Sequence, residues 1–348
     1  MKFLVFADYF YGSFYRAVLP QYFLQRIEEY AIFQQFQIII NPQSPQYMES
    51  KEILLSILLP AYNYTEGIEK IFNQLNLLAI PSLWHRIEIV VMDDSTDNNV
   101  EILMKGIVDT IKCVKYVRNN PAAGPCNNWN MLIEQAQGKY YILIHHDEFP
   151  LTKYFISKVL QNIENNNNVD MIMMDCILMN KSTNSLRRHI PSFIRRKVFD
   201  LYPEYLFRRN VIGPTATLII KKSLHSNFDC KLTWLIDVEE YYQLRKKITY
   251  WVFSENLKIA SYIDRNDSIT ERLRGDIPEI RQRESKYLSI KHVDALVWLN
   301  NKRFYMALEG LLWMGFRVIT RTYWYIINKF KRYPVSNEMA KIAFDDHK

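Results

Sequence analysis

Ile87-Glu88-Ile89-Val90-Val91-Met92-Asp93-Asp94-Ser95-Thr96-Asp97 is the stretch that decides the fold. Its apolar first half, Ile87–Val91, reads as a strand, and the acidic cluster stands where that strand ends. Two more acidic signatures lie further along the chain. Ile144-His145-His146-Asp147-Glu148 comes after the strand-like run Tyr140–Ile144, and Asp237-Val238-Glu239-Glu240 opens a helical segment. Ligands of open α/β sheets gather beyond the carboxyl ends of the strands. The order therefore reads as a nucleotide pocket, then a metal or diphosphate position, then a candidate catalytic base.

Outward from these signatures, apolar runs alternate with helix-period patterns from Ile53 onward, the pattern of an α/β sandwich with a largely parallel sheet. Ile68, Ile71, Phe72, Leu75 and Leu78 mark one helix face; Val100, Leu103, Met104, Ile107 and Val108 mark a second. Thr96 or Asp97 is expected to cap that second helix. Trp129, Leu132, Ile133 and Ala136 form a third stripe, with Gly138 expected as its C-cap. Asp170–Leu178 and Ala216–Ile220 read as later strands, and Asn165–Asn168 as a turn.

A chain of 348 residues, half of them hydrophobic, can bury a sizeable core in one large domain or two ordinary ones. The formal net charge of +7 admits acidic partners such as a nucleotide, a lipid diphosphate or an anionic membrane without choosing among them. Cys113, Cys126, Cys176 and Cys230 lie far apart with no CxxC pair, so neither a zinc knuckle nor a disulfide framework is expected, and a reduced, cytoplasmic setting fits best. Met1–Phe6 is too short an apolar run for a signal peptide core, and no uncharged apolar stretch is long enough to span a membrane.

The order of these pieces resembles the family 2 glycosyltransferases of GT-A fold, of the bacterial polysaccharide or O-antigen type, from about Leu55 to Thr270. Ser56-Ile57-Leu58-Leu59-Pro60-Ala61-Tyr62-Asn63 is similar to the family's opening strand and loop. Asp93–Asp97 is similar to its Asp-Asp-Gly-Ser-Thr-Asp segment with the glycine missing, and Asn120 to Gly138 to its Asn-rich helix before the metal motif. The resemblance implies a Rossmann-like, mixed, mainly parallel sheet sandwiched by helices, with a helical extension at the C-terminus. It also implies an enzyme that moves a sugar, with inversion, from a nucleotide-diphosphate sugar to a hydroxyl of a glycan or lipid-linked oligosaccharide in polysaccharide biosynthesis.

Such a reaction makes three demands. The nucleotide must be held, and here Pro60, Ala61, Tyr62 and Asn63 are placed to contact the base. Asp94 resembles the family aspartate that accepts a bond from the base, with Asp93 orienting the loop; equally, both carboxylates suit the dipole of the next helix. The diphosphate charge must be stabilised. Asp147 stands at the last position of the family's Asp-x-Asp and is a hard oxygen ligand for a divalent metal, while His145 replaces the first aspartate. His145 is an acceptable Mn2+ ligand and a poorer Mg2+ one, which favours Mn2+, or it donates, with His146 beside it, to a ribose or phosphate oxygen. Arg265 takes the place of a family histidine near the diphosphate and pairs well with phosphate oxygens. Finally, Asp237 takes the place of the family's catalytic aspartate, with Ile236 where a glutamate is usual. Helical spacing puts Glu240 on the same face, so it competes for the role, whereas Glu239 points elsewhere. Gly213, Pro214 and Thr215 are expected on the acceptor side.

Three domains are expected: an aromatic-rich extension over residues 1–51, a sheet domain over 52–273 and a helical basic and aromatic region over 274–348. Lys181, Arg187, Arg188, Arg195, Arg196, Lys197, Arg208 and Arg209 form either a solvated surface or a grip on an acceptor pyrophosphate. Leu312, Phe316, Ile319, Tyr323, Ile327 and Phe330 make an apolar stripe in a segment where seven basic residues accompany a single acid, Glu309. That composition suits either a packed helix or one lying on an anionic membrane surface, hence a peripheral protein on the inner face of the membrane. The alternative to an enzyme is a catalytically silent nucleotide- or glycan-binding scaffold. No motif accompanies the basic clusters, so no nucleic acid partner is expected.

Overall fold

The computed structural model describes residues 52–180, 185–263, 273 and 275–295, with isolated positions 297, 315, 318, 319, 322, 323, 325 and 326. The chain divides into two units after Ser50, and the sheet, its helices and the site all belong to the second, Lys51–Lys348. Arg265, Lys181, residues 1–50 and most of the basic aromatic stretch lie outside the described residues.

Nine strands among the described residues form one mixed sheet. Its first half is parallel: β3 (Val114–Arg118), β2 (Ile87–Asp93), β1 (Leu55–Ala61) and β4 (Tyr140–Leu143) lie side by side in that order. Antiparallel β8 (Leu218–Lys221) comes next, then β6 (Met171–Asn180), β9 (Trp251–Tyr262) and β5 (Glu148–Pro150); β7 (Ser185–Arg188) pairs with the far end of β6. The order reverses direction at β1, whose neighbours are β2 on one side and β4 on the other. That reversal opens a crevice at the carboxyl ends of the strands.

Strand alternation sorts the core into two layers. Leu55, Ile57 and Leu59 of β1, with Ile87, Ile89 and Val91 of β2, pack on one face; Leu58, Val90 and Met92 pack on the other. Successive side chains of a strand point to opposite faces, so a strand covered on both sides reads as a continuous apolar run. The first layer is closed by α1 (Thr65–Leu75), α2 (Asn99–Thr110) and α4 (Phe155–Asn165), the second by α3 (Pro125–Gln135), α5 (Ser192–Leu201) and α6 (Ile236–Lys247). A further helix, α7 (Ile277–Lys291), packs beside α6.

Ile68, Ile71, Phe72 and Leu75 are buried as the sequence predicts, but Leu78 is exposed because α1 ends at Leu75 and a left-handed Asn76 turns the chain. Gly138 does not cap α3, which ends three residues earlier. It is instead pressed against β1: a Cβ there would lie 2.6 Å from the Ser56 nitrogen, and its N–H donates to Ser56 Oγ. Asp97, not Thr96, serves the start of α2, accepting the Asn99 N–H at 3.0 Å. Cys126 and Cys230 form a disulfide across 104 residues, correcting the expectation that the spacing indicates no disulfide and removing the reason given for a reduced setting. Cys113 and Cys176 are buried and free. Among the described residues no helix is long and apolar enough to cross a membrane.

Candidate active site

The end of β1 does not place its residues as the sequence suggests. Pro60 and Ala61 belong to the strand, buried and paired with Met92 and Asp93, rather than to the loop after it. Pro60 is tolerated there because β4 pairs with β1 only as far as Leu58, so the missing N–H leaves no gap in that ladder. Both are therefore corrected as base contacts. Tyr62 and Asn63 come next, exposed. Asn63 stitches this end to the next loop: its N–H donates to Ser95 Oγ, and its side chain exchanges bonds with Thr96.

The two aspartates at the end of β2 are both occupied within the chain. Asp93 accepts from the Ser95 N–H and from Tyr116 Oη. Buried Asp94 accepts from Asn119 Nδ2 at 2.9 Å, from the Ala123 N–H at 2.8 Å and from the Gly124 N–H at 2.7 Å. Charge-assisted bonds of this kind are among the stronger ones in proteins, so Asp94 fixes the course of the 119–124 segment. Asn128 and Asn130 of α3 extend this frame. Asn128 donates to the Met92 carbonyl, while Asn130 accepts from the Phe228 N–H and donates to its carbonyl.

At the end of β4, His145, His146 and Asp147 are half-buried and Glu148 is buried at the start of β5. The His145 N–H donates to Glu148 Oε2 at 2.9 Å, and the ring Nδ1 lies 3.4 Å from the same oxygen and 3.3 Å from Thr215 Oγ1. The ring leans on Trp129, and its Nε2 is buried without a hydrogen-bond partner. Burial disfavours the charged ring, but Glu148, Asp147 and Asp237 outweigh it and raise its pKa. Neither ring nitrogen is open to an incoming metal, which corrects His145 as a ligand. His146 sets its ring edge-on to Tyr64. The Asp147 carboxylate makes no hydrogen bond among the described residues.

Asp237, the second residue of α6, is half-buried. Oδ1 accepts the Val238 N–H at 2.8 Å and Oδ2 accepts from Asn210 Nδ2 at 2.6 Å. Burial pushes its pKa up to about 6, although those bonds and the charge of His145 pull it down. Glu240 does not share this place. It is 1% exposed, faces His225 at 3.4 Å in a closed, mostly apolar cavity with Tyr141 and Phe228, and is raised in pKa by burial. α6 is buried nearly all round, so lying on the Asp237 face turns Glu240 inward. Glu239 points the other way, to Lys291 and His292 at 2.9 Å each.

The 210–215 segment joins the parts. Gly213, at φ +100°, donates its N–H to Asn210 Oδ1 and accepts at its carbonyl from Tyr241 Oη; a Cβ there would press to 3.1 Å on His189. Beneath it, fully buried Arg195 donates to the Ile212 and Met174 carbonyls. Pro214 is half-buried, and Thr215 Oγ1 donates to the Leu143 carbonyl beside His145. Arg188 is paired with Asp175 at 2.7 Å, so with Arg195 it is withdrawn from the free basic surface that the sequence suggests.

The family model described as Glycosyl transferase family 2 matches residues 56–228, which span β1 through the turn before α6. This chain belongs to glycosyl transferase family 2. An uncharacterized glycosyltransferase of Haemophilus influenzae is 35% identical over 97 residues, 28% of this chain and 37% of that protein. Another, of Methanocaldococcus jannaschii, is 21% identical over 262 residues, 74% of this chain and 83% of that protein. Residues 1–349 of S. aureus TarS, solved in complex with UDP-GlcNAc, share 17% identity, covering 63% of this chain and 61% of that one, with a TM-score of 0.48. The chain thus spans little more than a third of the Haemophilus protein and less than two thirds of that TarS chain.

Asn210 and Tyr241 hold the Asp237 side of this site to the Gly213 turn without standing out in the sequence. Asn210 is a lone polar residue in a loop, and only the Gly213-Pro214 turn after it marks the place.

Proposed function

We propose that this family 2 member is an inverting glycosyltransferase that transfers a sugar from a nucleotide-diphosphate donor to a hydroxyl of a glycan or lipid-linked oligosaccharide. The carrying observation is Asp237: a carboxylate at the start of a helix, held by one bond on each oxygen and raised by burial to about 6, with His145 and Asp147 at the neighbouring strand end. A general base works best with a pKa near the operating pH, and each Asp237 oxygen keeps a free lone pair for a proton.

The acceptor hydroxyl gives its proton to Asp237 as its oxygen bonds to the anomeric carbon. The bond from that carbon to the diphosphate oxygen breaks, the electron pair leaves with the nucleoside diphosphate, and the configuration inverts. Tyr62 and Asn63 contact the nucleotide, together with the 119–124 segment that Asp94 holds. Gly213, Pro214 and Thr215 line the acceptor side, and Arg265 pairs with the diphosphate.

No group of three His, Cys, Asp or Glu side chains among the described residues is arranged to hold a metal. The open Asp147 carboxylate fits a different mode, in which one protein oxygen shares the cation with the substrate phosphates. A divalent cation carried this way would supply positive charge to the departing diphosphate, with Asp147 as its protein ligand. The preference for Mn2+ over Mg2+ depends on His145 as a ligand, and the closed ring removes that argument.

The apolar side chains Ile290, Val293 and Val297 are 74, 58 and 53% exposed, and Ile319 and Tyr323 of the later stripe are 69 and 53% exposed. With the basic residues that flank them in the sequence they support a peripheral seat on an anionic membrane.

Calorimetry with UDP, GDP, dTDP and CMP, with and without Mn2+ or Mg2+, tests the donor site. Tight binding of one nucleotide supports the donor site and names the donor class, and transfer that is lost in Asp237→Asn separates the enzyme from a nucleotide-binding scaffold. Binding of none supports the silent scaffold.

A further inference from the structure

Asp237 is the residue the proposed chemistry needs, but it does not set its own direction. One side-chain amide touches Asp237 and the turn opposite it. Asn210 Nδ2 donates to Asp237 Oδ2 at 2.6 Å and to the Gly213 carbonyl at 3.1 Å, while Asn210 Oδ1 accepts the Gly213 N–H at 2.9 Å. The amide cannot be flipped. Reversal would point NH2 at an N–H donor and oxygen at a carboxylate and a carbonyl, losing all three bonds.

The turn holding Asn210 is over-determined. Tyr241 of α6 donates to the Gly213 carbonyl at 3.0 Å, Arg195 donates to the Ile212 carbonyl at 2.6 Å, and Gly213 holds a left-handed φ against His189. Glycine alone adopts that φ without strain, so a side chain at 213 would disturb the turn. α6 thus reaches the turn twice, once through Asp237 and Asn210 and once through Tyr241. Thr215, at the end of the same segment, lies against His145.

Resting on the reading of Asp237 as the base, we infer that Asn210 is its positioning residue. Asn210 clamps Oδ2, keeps the carboxylate ionised in a desolvated place and holds it in register with the Gly213–Thr215 acceptor wall. An amide donor stabilises the carboxylate form without adding a charge to the site. A lysine or arginine there would hold the carboxylate so strongly that it no longer takes a proton. The titratable groups facing Asp237 are Tyr241 on its own helix and His145 after β4, and Asp147 and Glu148 act on His145.

The test compares wild type, Asn210→Ala and Tyr241→Phe. Carboxyl-13C NMR follows the Asp237 titration, assigned by its loss in Asp237→Asn. Release of nucleotide from UDP-, GDP- and dTDP-sugars is followed against pH in the same proteins. Asn210→Ala is expected to raise the Asp237 midpoint by about one pH unit, to move the acid limb of nucleotide release with it and to lower kcat about tenfold or more, with nucleotide affinity unchanged. Tyr241→Phe loosens the turn but keeps the donor to Asp237, so its midpoint stays at the wild-type value. Asn210→Ser keeps a hydroxyl for the Gly213 N–H but is shorter toward Asp237. It gives the same shift where the alanine variant does not fold.

An Asp237 midpoint that stays put in both Asn210 variants, or one that moves equally in Tyr241→Phe, overturns the assignment. A midpoint that moves while the acid limb stays put overturns the base reading itself, and with it any catalytic part for Asn210.

Discussion

Glu284 of α7 accepts the backbone N–H of Leu235 at 2.8 Å, two residues ahead of Asp237. The same carboxylate, 1% exposed, accepts from the Thr233 N–H at 2.6 Å and the Trp234 N–H at 3.1 Å. These three N–H groups lie just ahead of α6, which begins at Ile236, and without Glu284 they would be donors with no acceptor. α7 therefore fixes the turn that leads the chain into α6. Glu284→Ala should cost about 1–3 kcal/mol in urea unfolding, the penalty for buried donors left without acceptors, and lower kcat along with stability. Unchanged unfolding and kcat would show that the turn is held in another way.

With Asp237 as the proposed base, the pH dependence of transfer rests on its carboxylate. A base must be unprotonated to act, and burial places this carboxyl near 6 instead of its ordinary value below 4. Transfer should be flat above about pH 7 and fall about tenfold per unit below pH 6. Asp237→Asn should lower transfer at least about a hundredfold while nucleotide affinity holds. An acid limb near pH 4, or full activity in the asparagine variant, removes Asp237 as the base.

Asp94 is expected to act on nucleotide affinity through the segment it holds. Asp94→Ala frees the Ala123 and Gly124 N–H groups and Asn119 together, so the 119–124 segment loses its anchor. Calorimetry should show the dissociation constant of the bound nucleotide rising about tenfold or more, an effect on the order of 1–3 kcal/mol for a charge-assisted cluster. Wild-type affinity in this variant would place the segment outside the nucleotide site.

The membrane seat is tested by sedimentation with vesicles of anionic and of neutral lipid. The full chain should co-sediment with the anionic vesicles, less so as salt rises, because screening weakens attraction between exposed charges. Deleting residues 311–348 should release it. Equal binding by the truncated protein sinks the role given to that segment.

The sheet is legible in the sequence because its first strands are covered on both faces and so read as unbroken apolar runs, and because acidic clusters mark their ends. Asp237 is legible from its order in the chain. β9 is not: it is long, bulged against β6 between Met174 and Asp175, and exposes Glu255 and Asn256, so its pattern is broken. Pro60 and Ala61 mislead because proline suggests a loop, whereas here it falls just past the last β4 pairing. Glu240 misleads because helical spacing tells which residues share a face but not whether that face is wet. Arg195 reads as one surface charge among several, yet it spends its donors on backbone carbonyls that no sequence pattern reveals. The Cys126–Cys230 bond is hidden by separation alone.

Gly67 has consequences beyond its own helix. In the first turn of α1, it lies so close to the turn after β4 that a Cβ would come within 2.0 Å of the His146 carbonyl oxygen. That surface of α1 is a mould against which the His-His-Asp turn is cast, with no atom to spare. A methyl group added there would displace the turn carrying Asp147, so a position that need touch neither sugar nor nucleotide would still act on the place proposed for the diphosphate.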